Sequence, residues 1–207
     1  SRNSDNSTSV VYRQAKDLAT RIDRTFALYS VKSQKLDQSF PQRVLIKVAN
    51  KEAPRDEEAL RKEINDLERK REYLTEAGLL TQVETALPLS SMQLSEDLRR
   101  VLEVYIEDTR DKLTTFDDMF ARIDLFKRII NGKFRFKYID VTADQGVVVF
   151  GDSNVPLDLS ALSSGEQHEL VLIYDLIFES NANSFLLIDE PEISLHVAWQ
   201  KRFLPDL

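Results

Sequence analysis

Leu162-Ser163-Ser164-Gly165-Glu166-Gln167 is a short polar turn opening onto a helical pattern, and 18 residues on, Phe185-Leu186-Leu187-Ile188 is an apolar run that ends in Asp189-Glu190. Each stretch alone has an ordinary explanation. A serine–glycine turn is a common helix cap, and a strand end is often followed by a solvated acidic turn. Their order and the helix-sized interval between them say more. A turn at a helix N-terminus presents backbone N–H groups and the positive end of the helix dipole, a cradle for phosphate oxygens. A carboxylate pair at the C-terminal end of a buried parallel strand lies where open α/β sheets bind ligands. One such carboxylate can hold Mg²⁺ through water and the next can polarise an attacking water.

Working outward, Glu166 to Glu179 reads as a helix with Leu170, Tyr174 and Ile177 on one side, and Phe185 to Ile188 as a buried parallel strand. Upstream, Lys133 to Val141 alternates basic and aromatic residues, and Gly146 to Phe150 reads as a second strand joined to it by a hairpin turn at Ala143-Asp144-Gln145-Gly146. In a strand, Lys133, Arg135 and Lys137 share one face. An ordinary polar outer face accounts for this better than a DNA-facing strip does.

The first two thirds of the chain read as helix. Val11, Ala15, Leu18, Ile22, Phe26 and Tyr29 recur in steps of three and four, and Pro41 is expected to end or follow this helix, leaving Val44–Val48 as a short strand or connector. A second helix over Asp56 to Ala77 carries Leu60, Ile64, Leu67 and Leu74, and Gly78 is its stop. A third is expected from about Ser95 to Ile130, with Ser90, Ser91 or Ser95 as its cap and Leu98, Leu102, Tyr105, Leu113, Phe116, Phe120, Ile123 and Lys127 near heptad positions. Helices this long in a chain of 207 residues predict an arm, built as an antiparallel pair or a small bundle. The domain division expected is 1–131 for the arm and 132–207 for the remainder.

Composition narrows the class. Hydrophobic residues make up 42% and charged residues 30%, which suits a soluble protein with much exposed helix. No apolar run reaches membrane-span length and the polar start has no signal-peptide pattern, so no membrane partner is expected. The absence of cysteine excludes disulfides and zinc–thiolate sites and fits a cytoplasmic location. A net charge of −7 argues against a broadly basic coat for nucleic acid.

Together the turn and the acidic strand end resemble the signature and Walker B motifs of ABC-type ATPases, the family of SMC-like and RecF-like heads and of the ATPase half of OLD-family proteins. The family pattern is Leu-Ser-Gly-Gly-Gln or Glu; here Ser164 replaces the first glycine. The wording Asp189-Glu190-Pro191-Glu192-Ile193-Ser194-Leu195-His196 looks like that branch rather than the transporters, where an aspartate is common in place of His196. What the resemblance implies is an α/β fold: a partial P-loop NTPase (ABC-type) head with a long helical, coiled-coil insertion. It implies ATP and Mg²⁺ as cofactors. Ser163, Ser164, Gly165, Glu166 and Gln167 would bind nucleotide held by the opposite subunit, Ser163 and Gly165 at its γ-phosphate. Asp189 would hold the metal, Glu190 would be the general base, and Ser194, Leu195 and His196 would form a D-loop crossing the interface. Trp199 is expected to anchor the helix that follows.

The P-loop motif Gly-x-x-x-x-Gly-Lys-Ser/Thr is absent, since none of the five glycines is followed by Lys-Ser or Lys-Thr. Arm, then signature, then Walker B is the order of the second half of an SMC-like head. The expectation is therefore part of a longer ATPase, inactive alone, whose heads dimerise through ATP. From the resemblance to stand-alone bacterial heads with small arms, which often serve in DNA repair or phage defence, a DNA-repair or anti-phage defence assembly is expected, with a nuclease or toxin-like effector and DNA as further partners. The alternative is a non-catalytic coiled-coil scaffold with a degenerate ATPase head.

Overall fold

The computed structural model describes residues 2–80 and 92–180. They form five α-helices and a small sheet: α1 Arg2–Ala49, α2 Glu57–Glu76, α3 Glu96–Leu113, α4 Asp117–Lys133, β1 Lys137–Thr142, β2 Gly146–Gly151, β3 Pro156–Leu157 and α5 Ser164–Tyr174. The described chain is thus mostly helical with one three-stranded antiparallel sheet, ordered β1-β2-β3. The apolar strand expected at 185–188 lies outside the described residues.

Contacts divide the chain into two units, Ser1–Ile22 with Ala121–Leu207, and Asp23–Phe120. The expected cut at 131/132 is a different one, because α1 and α4 each contribute to both units.

In the unit Asp23–Phe120, the α2 stripe is buried as spaced: Leu60, Ile64, Leu67 and Leu74 face inward. Asp56 caps α2 by accepting the N–H groups of Glu58 and Ala59. Past its end, Leu79 donates its N–H to Leu74 O at 2.8 Å and Gly78 to Thr75 O at 3.0 Å, with Gly78 at φ 72°. This pairing closes the open carbonyls of the last turn in a left-handed stop. Ser95, of the three candidate serines, caps α3 by accepting the Leu98 N–H. Helix directions follow from the ion pairs. Glu63 of α2 pairs with Arg110 of α3, and further along α2 Lys70 pairs with Asp117, beyond α3 at the start of α4, so α2 runs in the direction of the α3–α4 segment. Asp37 pairs with Lys112 and Lys47 with Glu103, so α1 and α3 run antiparallel. The result is a small bundle rather than a simple antiparallel pair.

Two helix expectations are corrected here. Pro41 neither ends α1 nor follows it, and Val44–Val48 is helix, not strand or connector. Proline removes one donor from the ladder. Arg43 Nη2 and Ser39 Oγ both donate to Leu36 O, at 2.9 and 3.1 Å, and so supply side-chain donors to the preceding turn. The single helix expected over Ser95–Ile130 is interrupted by a 3₁₀ turn at Thr114–Phe116. There Thr114 Oγ1 donates to Asp111 O at 2.8 Å, the local side-chain bond that competes with a regular helix.

In the other unit, β1 and β2 pair from Lys137↔Gly151 to Thr142↔Gly146, so the hairpin is where the sequence puts it. Tyr138 and Phe150 are cross-strand partners and their rings stack, with centroids 5.1 Å apart. Gly146 has φ 68°, and a Cβ there would stand 1.9 Å from Ala15 O. Only glycine lets the hairpin approach α1 this closely. Residues 8–22 of α1 lie along α5 and the turn that follows it, with Thr8 bonded to Gln167 and Asp17 to Tyr174 of α5, and Arg21 to Glu179 just beyond. Phe126, Tyr174 and Phe178 form a buried aromatic cluster with centroids 4.7–6.0 Å apart. The basic strip is a further correction. Lys133 ends α4 and is buried, Arg135 lies in the bend, and Lys137 opens β1, so the three do not share a strand face.

Candidate functional site

Leu162 to Gln167 folds as the N-terminal turn of α5. Ser163 is its cap, with φ −62° and ψ 160°, and its Oγ accepts the Glu166 N–H at 3.3 Å. Glu166 reaches back and accepts the Ser163 N–H on Oε2 at 2.7 Å. This reciprocal capping box follows from Ser and Glu three residues apart. Leu162 is buried and pins the turn from below, while Ser163 and Ser164 are exposed and Gly165 is half-exposed. Ser164 and Gly165 occupy the first two positions of α5, whose N–H groups have no acceptor within a helix. The outward side of the turn is thus made of small residues, Ser163, Ser164 and Gly165.

The two remaining members of the motif point elsewhere. Gln167 is buried; its Nε2 donates to Leu162 O at 3.1 Å and its Oε1 accepts from Thr8 Oγ1 at 3.1 Å. Its amide braces the turn from inside, and reaching a nucleotide would cost both bonds. Glu166 is half-buried. Burial pushes its carboxyl up, but the hydrogen bonds from Lys137 and Ser163 outweigh this and hold it below the ordinary glutamate value. Lys137 Nζ lies 2.8 Å from Glu166 Oε2 and 2.9 Å from Ala161 O. Lys137 belonged to the expected basic strip; nothing in its local sequence signals that it faces the turn, because the bend at 135–136 decides that.

Behind the turn, Glu169 is fully buried and paired with Lys133. At the far end, α5 passes into a π turn at Asp175–Glu179, where Ser180 N–H bonds Asp175 O at 3.0 Å. The regular helix expected through Glu179 is corrected accordingly: the wider turn buries Phe178 where Ile177 was expected, and Ile177 is half-buried. Asp189, Glu190, Ser194, Leu195, His196 and Trp199 all lie outside the described residues. Among the described residues, no group of three or more His, Cys, Asp or Glu is placed to hold a metal ion.

A mostly helical chain carrying a capped serine–glycine turn beside a small sheet is compatible with many folds, and the family comparison decides among them. The class is an AAA domain, which carries the P-loop NTPase fold. The chain belongs to the family described as "AAA domain, putative AbiEii toxin, Type IV TA system", whose model matches residues 16–207. No curated protein matches the chain. No helix among the described residues is long and apolar enough to cross a membrane.

Proposed function

We propose that this chain is the signature and Walker B part of an ABC-type ATPase head, of the SMC-like, RecF-like and OLD-like branch, whose heads dimerise around ATP–Mg²⁺. The observation that carries this reading is an exposed serine–glycine helix cap at Ser163–Gly165, in a chain matched to an AAA-domain family over residues 16–207. ATP supplies a γ-phosphoryl group open to in-line attack by water, with Mg²⁺ offsetting its charge. Ser163, Ser164 and Gly165 take the phosphate of the opposite head, Glu166 completes the cap, and Gln167 holds the turn from within. Asp189 holds the metal and Glu190 orients and deprotonates the water. Ser194, Leu195 and His196 cross to the partner head as the D-loop. The residues of the turn fit an anion: two exposed small residues precede a helix dipole.

Hydrolysis switches the dimer on behalf of a DNA-repair or anti-phage defence assembly with a nuclease or toxin-like effector. The family's printed description, which includes a putative toxin, supports that setting. Residues 23–120 serve as the arm.

ATP turnover by the full-length protein, beside a Glu190→Gln variant, tests the reading. The expected result is hydrolysis by the wild type and a variant that binds ATP, dimerises and turns over at least about 100-fold more slowly, in line with loss of a general base. A wild type that neither binds nor hydrolyses ATP makes the head a degenerate scaffold.

A further inference from the structure

Two ion pairs join α5 to the segment that links α4 with β1. Glu166 and Glu169, three residues apart, share one face of α5. Opposite them, Lys133 ends α4 and Lys137 opens β1. Lys133 pairs with Glu169 and Lys137 with Glu166, a two-rung ladder. The inner rung is dry, its side chains 5% and 0% exposed, and the outer is largely covered at 22% and 12%.

Stability is a poor reason for the inner rung. A buried ion pair gives little net stabilisation compared with apolar residues of the same size, but it does fix register. Glu169 Oε2 has no hydrogen-bond partner, so this pair is not even fully satisfied. Nor is the linking segment relaxed. Phe136, between the two lysines, has φ 61° and is 78% exposed, a left-handed conformation that disfavours a bulky residue. Such outliers persist where the surroundings over-determine them. Here the bend brings both lysines to α5.

The outer rung reaches the motif itself. One oxygen, Glu166 Oε2, accepts both Lys137 Nζ and the Ser163 N–H, and Lys137 also holds Ala161 O just before the turn. An anion at Ser163–Gly165 would approach the Glu166 carboxylate. Lys137 offsets that charge and keeps the carboxylate folded back on the cap.

We infer that the ladder positions the signature turn: Lys137 and Lys133 are positioning residues that hold Ser163–Gly165 ready for the phosphate of the opposite head. The inference rests on the ATPase reading above, and it separates two events. A head's grip on its own nucleotide does not involve the ladder, whereas engagement of the partner's nucleotide does.

The test uses the full-length protein with Lys137→Met, Lys137→Arg and the exchange Lys133→Glu with Glu169→Lys. Expected for Lys137→Met are ATP binding by the separate heads within twofold of wild type, loss of ATP-dependent dimerisation and a kcat lowered at least tenfold. Lys137→Arg and the exchanged pair retain dimerisation and kcat within threefold. An active wild type beside a Lys137→Met variant that dimerises and turns over normally overturns the inference alone. A Lys137→Met variant that loses ATP binding in step with kcat also overturns it, because the defect is then general. An inert wild type overturns the ATPase reading and the inference together.

Discussion

Gly146 is the residue with the least room for change. A methyl group there would lie 1.9 Å from Ala15 O and 2.8 Å from Ala15 C, backbone atoms that cannot step aside as a side chain can. Its φ of 68° adds a penalty for any L side chain. Overpacking and the left-handed conformation together set the expected cost of Gly146→Ala at about 2–5 kcal/mol. Thermal unfolding should show it as a fall of roughly 5–15 °C in Tm; an unchanged Tm would mean that the hairpin does not rest on α1. The turn glycine itself was legible, since Ala-Asp-Gln-Gly between two β-rich runs is a hairpin signal. Its contact with Ala15 was not, because nothing local relates positions 131 residues apart. The same distinction runs through the candidate site. The cap was written in Ser163 and Glu166 at a spacing of three, whereas the inward turn of Gln167 depends on Thr8.

The elements tell a similar story at longer range. The α2 stripe is buried as its spacing requires, because a helix buries whatever its period places on one side. Pro41 misleads because α1 is held by partners beyond its own ladder, among them the buried Asp108, which pairs with Arg43. Glu103 ties the end of α1 to α3 in the same way. It is buried, pairs with Lys47 at 2.9 Å and accepts the Arg55 N–H at 2.6 Å. Burial pushes its carboxyl up, but these two donors outweigh that and hold it below the ordinary glutamate value. A depressed folded-state value means that its stabilisation is present above the unfolded-state value and is lost as pH falls through the folded one. Glu103→Gln is therefore expected to cost about 1–3 kcal/mol at pH 7, the penalty for disrupting a buried charged hydrogen-bond pair. The gap from wild type should close in acid. Urea unfolding followed by circular dichroism at neutral and acid pH checks this, and a gap independent of pH would remove Glu103 as the source.

For the molecule as a whole, the boundaries of its two units were not legible in the sequence. A continuous helix carries no mark where its partners change, so nothing in α1 separates Ile22 from Asp23. The unit Asp23–Phe120 has its own buried set, including Leu60, Ile64, Leu74, Ile106, Leu113 and Phe116. Expressed alone, residues 23–120 are expected to stay helical and unfold cooperatively; a broad, non-cooperative melt would show that the bundle borrows its stability. The other unit is discontinuous, with Thr8 bonded to Gln167 across 159 positions. On a ribosome adding ~5–20 residues per second, the first turns of α1 would wait roughly 8–30 s for those partners to be made. During that interval Val11, Leu18 and Ile22 have no finished core to enter, whereas the inserted bundle has all of its chain by Phe120. Order of completion thus runs from the inside outward: the insertion can fold first, and the unit that flanks it on both sides closes after it.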